Sequence, residues 1–193
     1  MNEHTTKARV FAVAGFCSGF LTLVLGTLWA VIFVVGAGII LATALFTVDG
    51  LLWRGQSDSM QGSRSRRILA GIIVSLSYPS GVVVFIAVTS LLDGIGINTR
   101  NLLGLSAASV ITSFGFYWAI TVLGRTRRAV LLQLLLIALL TALISGLAAF
   151  GKRSTLIVTP HFVVSLTWVA LLLLGETGFA WVWGKARRSS FES

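Results

Sequence analysis

Charge is scarce in this chain of 193 residues: 11% of its side chains are charged and 56% are hydrophobic. A soluble domain is about a quarter charged. With so little charge the chain cannot cover a water-facing surface, which excludes an ordinary soluble domain and points to a bilayer. Cysteine occurs once, at Cys17, so an internal disulfide and any multi-cysteine metal or redox site are excluded. Cys17 sits in an apolar run and reads as a small hydrophobe. Of the two histidines only His161 falls in the apolar region, which argues against haem or a histidine-rich metal centre. A Walker loop, a dinucleotide fingerprint, HExxH and a carboxylate pair are all missing. No cofactor and no metal is expected.

Acidic residues are also few, 6 against 15 basic, for a net charge of +9. In a soluble protein that excess would suggest nucleic acid. In a membrane chain it has another source, because basic residues collect at the cytoplasmic ends of spans. The expected partner is therefore the lipid bilayer, with a membrane-protein partner or a homo-oligomer left open, and no nucleic acid.

Long apolar runs are plentiful. The first extends from Val10 to Val48 without a charge. At about 1.5 Å per residue it is far too long for one crossing of a core roughly 30 Å thick. It reads as two spans joined by a tight turn near Gly26–Val31, with Trp29 at the interface. The predicted spans are 10–28, 31–53, 68–92, 102–123, 129–150 and 156–183, with a cytoplasmic loop at 54–67. Charge supports that count. With the N-terminus inside, the inner segments hold Lys7, Arg9, Arg54, Arg64, Arg66, Arg67, Arg125, Arg127, Arg128, Lys185, Arg187 and Arg188. The outer segments keep only Arg100, Lys152 and Arg153. Reading the first run as one span weakens this positive-inside bias. Trp53, Trp118, Trp181 and Trp183 fall near the inner boundary, where an aromatic belt is expected. The predicted fold is all-α: a polytopic integral protein of the cell membrane, six transmembrane helices in one bundle and one domain over 1–193, both termini cytoplasmic.

Helical spacing assigns faces. Gly15, Gly19, Thr22 and Gly26 run down one side of the first span, a strip of small residues that lets two backbones approach closely in lipid. In the fourth span Gly104, Ala108, Gly115 and Ala119 form a small face, roughly opposite Ser106, Ser109, Ser113 and Tyr117. In the sixth, with Thr159–Pro160 as its start, His161, Ser165, Trp168, Leu172 and Glu176 share one stripe. Such a stripe should avoid lipid. The segment "SLSYPSG" at 75–81 places Pro79 inside the third span. A kink at Tyr78 is expected, with Ser75, Ser77 and Ser80 re-satisfying freed backbone groups. The functional version of that reading is a discontinuous helix at mid-membrane depth.

Glu176 lies seven residues before Trp183, about 10 Å inside the inner boundary. An acid at that depth must be protonated, paired or hydrated. Tyr117 and Gln133 fall at a similar depth, while Asp49 is nearer the surface and expected to see water. The candidate substrate-binding surface is Tyr78, Ser113, Tyr117, Gln133 and Glu176. The bland alternative is that these polar groups only tie helices together.

One catalytic constellation competes. Gly104-Leu105-Ser106 opens the fourth span, and His161 sits at matching outer-leaflet depth in the sixth. Serine with a histidine base is a route to a nucleophile. Six spans, an inside N-terminus and these residues resemble the rhomboid intramembrane proteases, over spans three to six. The resemblance implies a serine hydrolase with Ser106 as nucleophile and His161 as base. The chain departs from that family at Ala107, at "HFVV" (161–164), in a second span without histidine or asparagine, and in having no long first loop. The leading reading is a small non-catalytic membrane protein that binds or passes a small solute, or serves as a membrane subunit of a larger assembly.

Overall fold

A computed structural model describes residues 3–26, 36–52, 64–124, 128–150, 155–159 and 162–188. It contains six helices: α1 (Glu3–Gly26), α2 (Ala37–Leu52), α3 (Arg64–Leu91), α4 (Ile97–Val122), α5 (Arg128–Phe150) and α6 (Leu166–Arg188). Thr6–Leu25, Ser65–Leu91, Ile97–Val122 and Arg128–Leu147 are long and apolar enough to cross a membrane. α2 is apolar but has only 16 residues, about 24 Å of helix. The tight turn expected near Gly26–Val31, with Trp29, lies mostly outside the described residues, as do Trp53 and most of the 54–67 loop.

Each helix packs on its neighbours in the chain, and α6 returns to pack on α1, so the six close into a ring. Neighbours run antiparallel. Gly184 lies against Ala8 and Phe11 while Gly19 lies against Leu172, and Gly38 meets Ser75 while Gly71 meets Phe46. Gly146 meets Leu102 while Ser113 bonds to Leu134. This alternation brings the start of α1 and the end of α6 to one end of the ring, with Lys7, Arg9, Arg66, Arg67, Arg128, Lys185, Arg187 and Arg188. Among the described residues the other end carries only Arg100 of the basic side chains, paired with Asp93 at 2.7 Å. The outer surface is apolar, with Val13, Phe20, Ile72, Val83, Leu132 and Leu147 all exposed, as lipid-facing helices require.

The interior of the ring's basic half is filled by Phe11, Leu41, Leu45, Val74, Phe116, Ile120, Leu134, Phe179 and Trp183. Trp183 is a core residue, edge-on to Phe46 at 5.6 Å, and not a member of an interfacial belt. Trp118 does face outward, and Trp181 stacks under the Lys185 ammonium at 3.7 Å. Asp49 also departs from expectation: it is buried and ion-paired with Arg67 at 3.1 Å, tying α2 to α3.

α3 runs unbroken through Pro79, so the discontinuous helix is not observed. The serines, expected to re-satisfy the freed backbone group, bond to other carbonyls instead. Proline deprives the Ser75 carbonyl of its N–H partner and crowds the next bond. Ser80 Oγ donates to Leu76 O at 2.8 Å, Ser77 Oγ to Ile73 O at 2.7 Å and Ser75 Oγ to Gly71 O at 2.9 Å. The freed Ser75 carbonyl lies against Gly38 of α2, where any Cβ would collide with it.

The largest departure lies before α6. Where the first turns of the sixth span were expected, β1 (Thr155–Thr159) and β2 (Phe162–Ser165) pair as antiparallel strands. Thr155 pairs with Ser165, Leu156 with Val164 and Ile157 with Val163. Six β-branched residues (Thr155, Ile157, Val158, Thr159, Val163 and Val164) favour strand, and hydropathy alone does not separate an apolar strand from an apolar helix. The sixth helix starts at Leu166, and Thr159 ends a strand instead of capping a helix.

Candidate functional site

Hydroxyl groups in this ring mostly return their proton to their own helix. Thr43, Ser75, Ser77, Ser80, Thr89, Ser106, Thr112, Ser113, Thr121 and Thr177 all donate to the carbonyl four residues earlier. That is the ordinary resting state of serine and threonine in an apolar helix. Ser18 and Thr22 are exceptions. Both are buried in α1, one turn apart, and neither hydroxyl has a hydrogen-bond partner. They share the face of α1 on which Gly15 and Gly19 touch α6.

Facing them is Glu176. Its side chain has no exposed surface, and neither carboxyl oxygen has a hydrogen-bond partner. The Ser18 hydroxyl lies close enough to the carboxyl to interact with it. Tyr78, from α3, lies within electrostatic reach. The Tyr78 ring meets Phe116 edge-on at 6.4 Å, and Phe116 stacks on Phe179 at 4.7 Å. This aromatic series joins α3, α4 and α6 beside the acid.

A cavity of about 60 Å³ lies between α3, α4, α5 and α6, lined by neighbours of Glu176 on α6 but not by Glu176 itself. Its wall is mainly apolar, with Leu105, Leu172 and Phe179, and carries Tyr78, Ser109, Thr112 and Thr141 as its polar groups. On α6, Leu172, Gly175 and Phe179 line it. Glu176 projects about 40° from Leu172 and about 60° from Phe179 around the helix axis, at the edge between the cavity and α1.

Of the five residues expected to form a site, Tyr78 and Glu176 come together. Ser113 is buried but occupied, donating to Ser109 O at 2.8 Å and to Leu134 O at 3.3 Å, so it ties α4 to α5. Tyr117 is half-buried against the core and Gln133 half-buried on α5, and neither bonds to Glu176. The residues that sequence reasoning missed are Ser18 and Thr22. The signal was present, because Thr22 lies on the small-residue strip of the first span. Which helix that strip would meet was not legible.

The α6 stripe shortens accordingly. Ser165 is in β2, His161 lies outside the described residues, and Leu172 and Glu176 are buried on α6. The expected match in depth between His161 and Ser106 therefore lies outside the described residues as well. Ser106 Oγ donates to Leu102 O at 2.9 Å, the arrangement of a packing serine rather than an activated nucleophile. Among the described residues no cluster of three or more His, Cys, Asp and Glu side chains is placed to hold a metal ion. Compared with family models, curated proteins and solved structures, the chain matches none of them.

Proposed function

We infer that the chain is an integral protein of the cell membrane, crossing it six times with both termini cytoplasmic. Without covalent chemistry, it binds or passes a small solute at the interior site around Glu176. The observation that carries this reading is the carboxyl of Glu176, wholly enclosed in the interior and without a hydrogen-bond partner. A buried polar group left unmade is costly, which favours a reading in which a solute meets this carboxyl. Packing glue looks different, as Ser113 demonstrates by bonding to two carbonyls. The crossing is supported by the alternation of the helices and the gathering of basic residues at one end of the ring, as the positive-inside rule requires.

Topology has a direct test. Single cysteines at Ser59 and at Asn98, in a Cys17→Ser background, should react with an impermeant thiol reagent from opposite sides of the membrane. Reaction from the same side rejects the six-span arrangement.

The site has its own test. Ser18→Cys is nearly isosteric and places a thiol beside the Glu176 carboxyl. A small water-soluble methanethiosulfonate should modify it in the folded protein if solute reaches the site. Modification only after denaturation in SDS would show a sealed interior and reject a binding role.

A further inference from the structure

Where the packed core ends, the ring is hollow. Ala138 and Phe179 belong to the apolar core of the basic half and also line the cavity of about 60 Å³ between α3, α4, α5 and α6. No acidic or basic side chain lines that space. Stripping an ion of water there would be very costly, so the occupant that fits is uncharged.

The polar groups of the wall are hydroxyls, and three of them have no partner. Thr112 returns its proton to Ala108 O at 2.9 Å. Tyr78 of α3, Ser109 of α4 and Thr141 of α5 also line the cavity, yet none of their hydroxyls donates a hydrogen bond among the described residues. Ser18, Thr22 and Ser145 lack partners too, but their oxygens are sealed and none of them lines the cavity.

Water would satisfy those hydroxyls and not the rest of the wall. A buried water needs about two to four polar partners, and Val82, Phe85, Leu105 and Leu172 offer it no side-chain group. A hydrocarbon has the opposite fault, leaving the hydroxyls unmade. A short alcohol meets both demands. Its hydroxyl donates and accepts, and its alkyl group covers apolar surface. Size limits it further. A cavity of about 150 Å³ holds benzene, and this one, at about 60 Å³, suits roughly two to four non-hydrogen atoms by that scale.

We propose that this cavity is a binding site for a short-chain alcohol of about the size of ethanol. The alcohol's hydroxyl bonds to the free hydroxyls of the wall, and its alkyl group lies against Leu172 and Phe179. The site is separate from the Glu176 carboxyl, which does not line it, and it stands or falls without it.

The two tyrosines provide the test, because Tyr78 lines the cavity and Tyr117 does not. The full chain in detergent, labelled with 3-fluorotyrosine, gives two fluorine NMR resonances, assigned with Tyr117→Phe. Titrated ethanol should move the Tyr78 resonance to a plateau, while that of Tyr117 only drifts with the solvent. Ethylammonium, of the same shape but charged, should give no plateau. Ser109→Ala combined with Thr141→Val should weaken ethanol about tenfold. Gly175→Ala narrows the cavity from α6, its Cβ meeting Thr141 at an ordinary 3.7 Å, and should weaken ethanol at least threefold. Monodisperse elution and unchanged helicity establish that each variant folds. If the double variant does not fold, the two single changes replace it, each expected to weaken ethanol about threefold.

Two resonances that drift together would mean a space holding water or detergent only, and would overturn the site. Ethylammonium reaching a plateau as ethanol does would overturn the uncharged assignment. Ethanol indifferent to both the hydroxyl changes and Gly175→Ala would overturn the cavity as its place. The Ser18→Cys result bears on the Glu176 site alone, so the two readings fail separately.

Discussion

Gly15→Val should loosen the seam between α1 and α6 and lower stability by about 1–3 kcal/mol, the usual cost of forcing bulk into a close-packed interface. A Cβ at Gly15 would run into the Glu176 carbonyl and stand 2.7 Å from the Ala180 Cβ. Neither obstacle is the far end of a flexible side chain, so the helices themselves must separate. Unfolding midpoints in mixed micelles, followed by tryptophan fluorescence, measure the effect. Gly50→Ala is the control, because a Cβ there meets nothing within 4 Å, and surface changes of that kind stay within about 0.5 kcal/mol. If Gly15→Val behaves like Gly50→Ala, α1 and α6 do not meet as described.

Glu176→Met should do the opposite and raise stability. Methionine has nearly the length of glutamate, a flexible chain that adapts to its surroundings, and no polar atom that needs a partner. Burying an unsatisfied donor or acceptor costs about 1–3 kcal/mol, and more for a charged group, and the substitution removes two unsatisfied oxygens. A gain of about 1–3 kcal/mol in the ligand-free protein is therefore expected, together with loss of solute binding. A residue whose removal strengthens the fold is not holding it together. The same unfolding measurement gives the counter-result: clear destabilisation by Glu176→Met would make the acid a structural tie and remove the basis for a site.

Hydropathy and charge together made much of this architecture legible. Segments 68–92, 102–123 and 129–150 lie close to α3, α4 and α5 because in each an uninterrupted apolar run is bounded by arginines or by a glycine-rich turn. Glu176 was legible for a simple reason: one acid in a long apolar stretch has few places to go. The strands β1 and β2 were not, since valine, isoleucine and threonine satisfy an apolar span and a strand alike. Gln133 and Tyr117 were grouped with Glu176 by depth alone. Depth fixes one coordinate of three, and the lateral order of helices decides the other two. Ser18 and Thr22 were missed for the same reason. Their partner helix lies at the far end of the chain, and nothing local marks it. Asp49 was misjudged because its nearness to a helix end implied water, whereas Arg67 on the next helix encloses it.

The seam between α1 and α6 also sets an order of events in the making of the protein. α1 emerges from the ribosome before α6, and roughly 160 residues separate Gly15 from Glu176, about 10–30 s of synthesis at ~5–20 residues per second. Through that interval the small-residue face of α1 carries Ser18 and Thr22 with no α6 to cover them. The incomplete chain therefore displays a polar stripe that the finished one hides. Any fragment ending before α6 would keep that stripe on view and so be distinguishable from the whole protein by quality-control proteases of the bilayer.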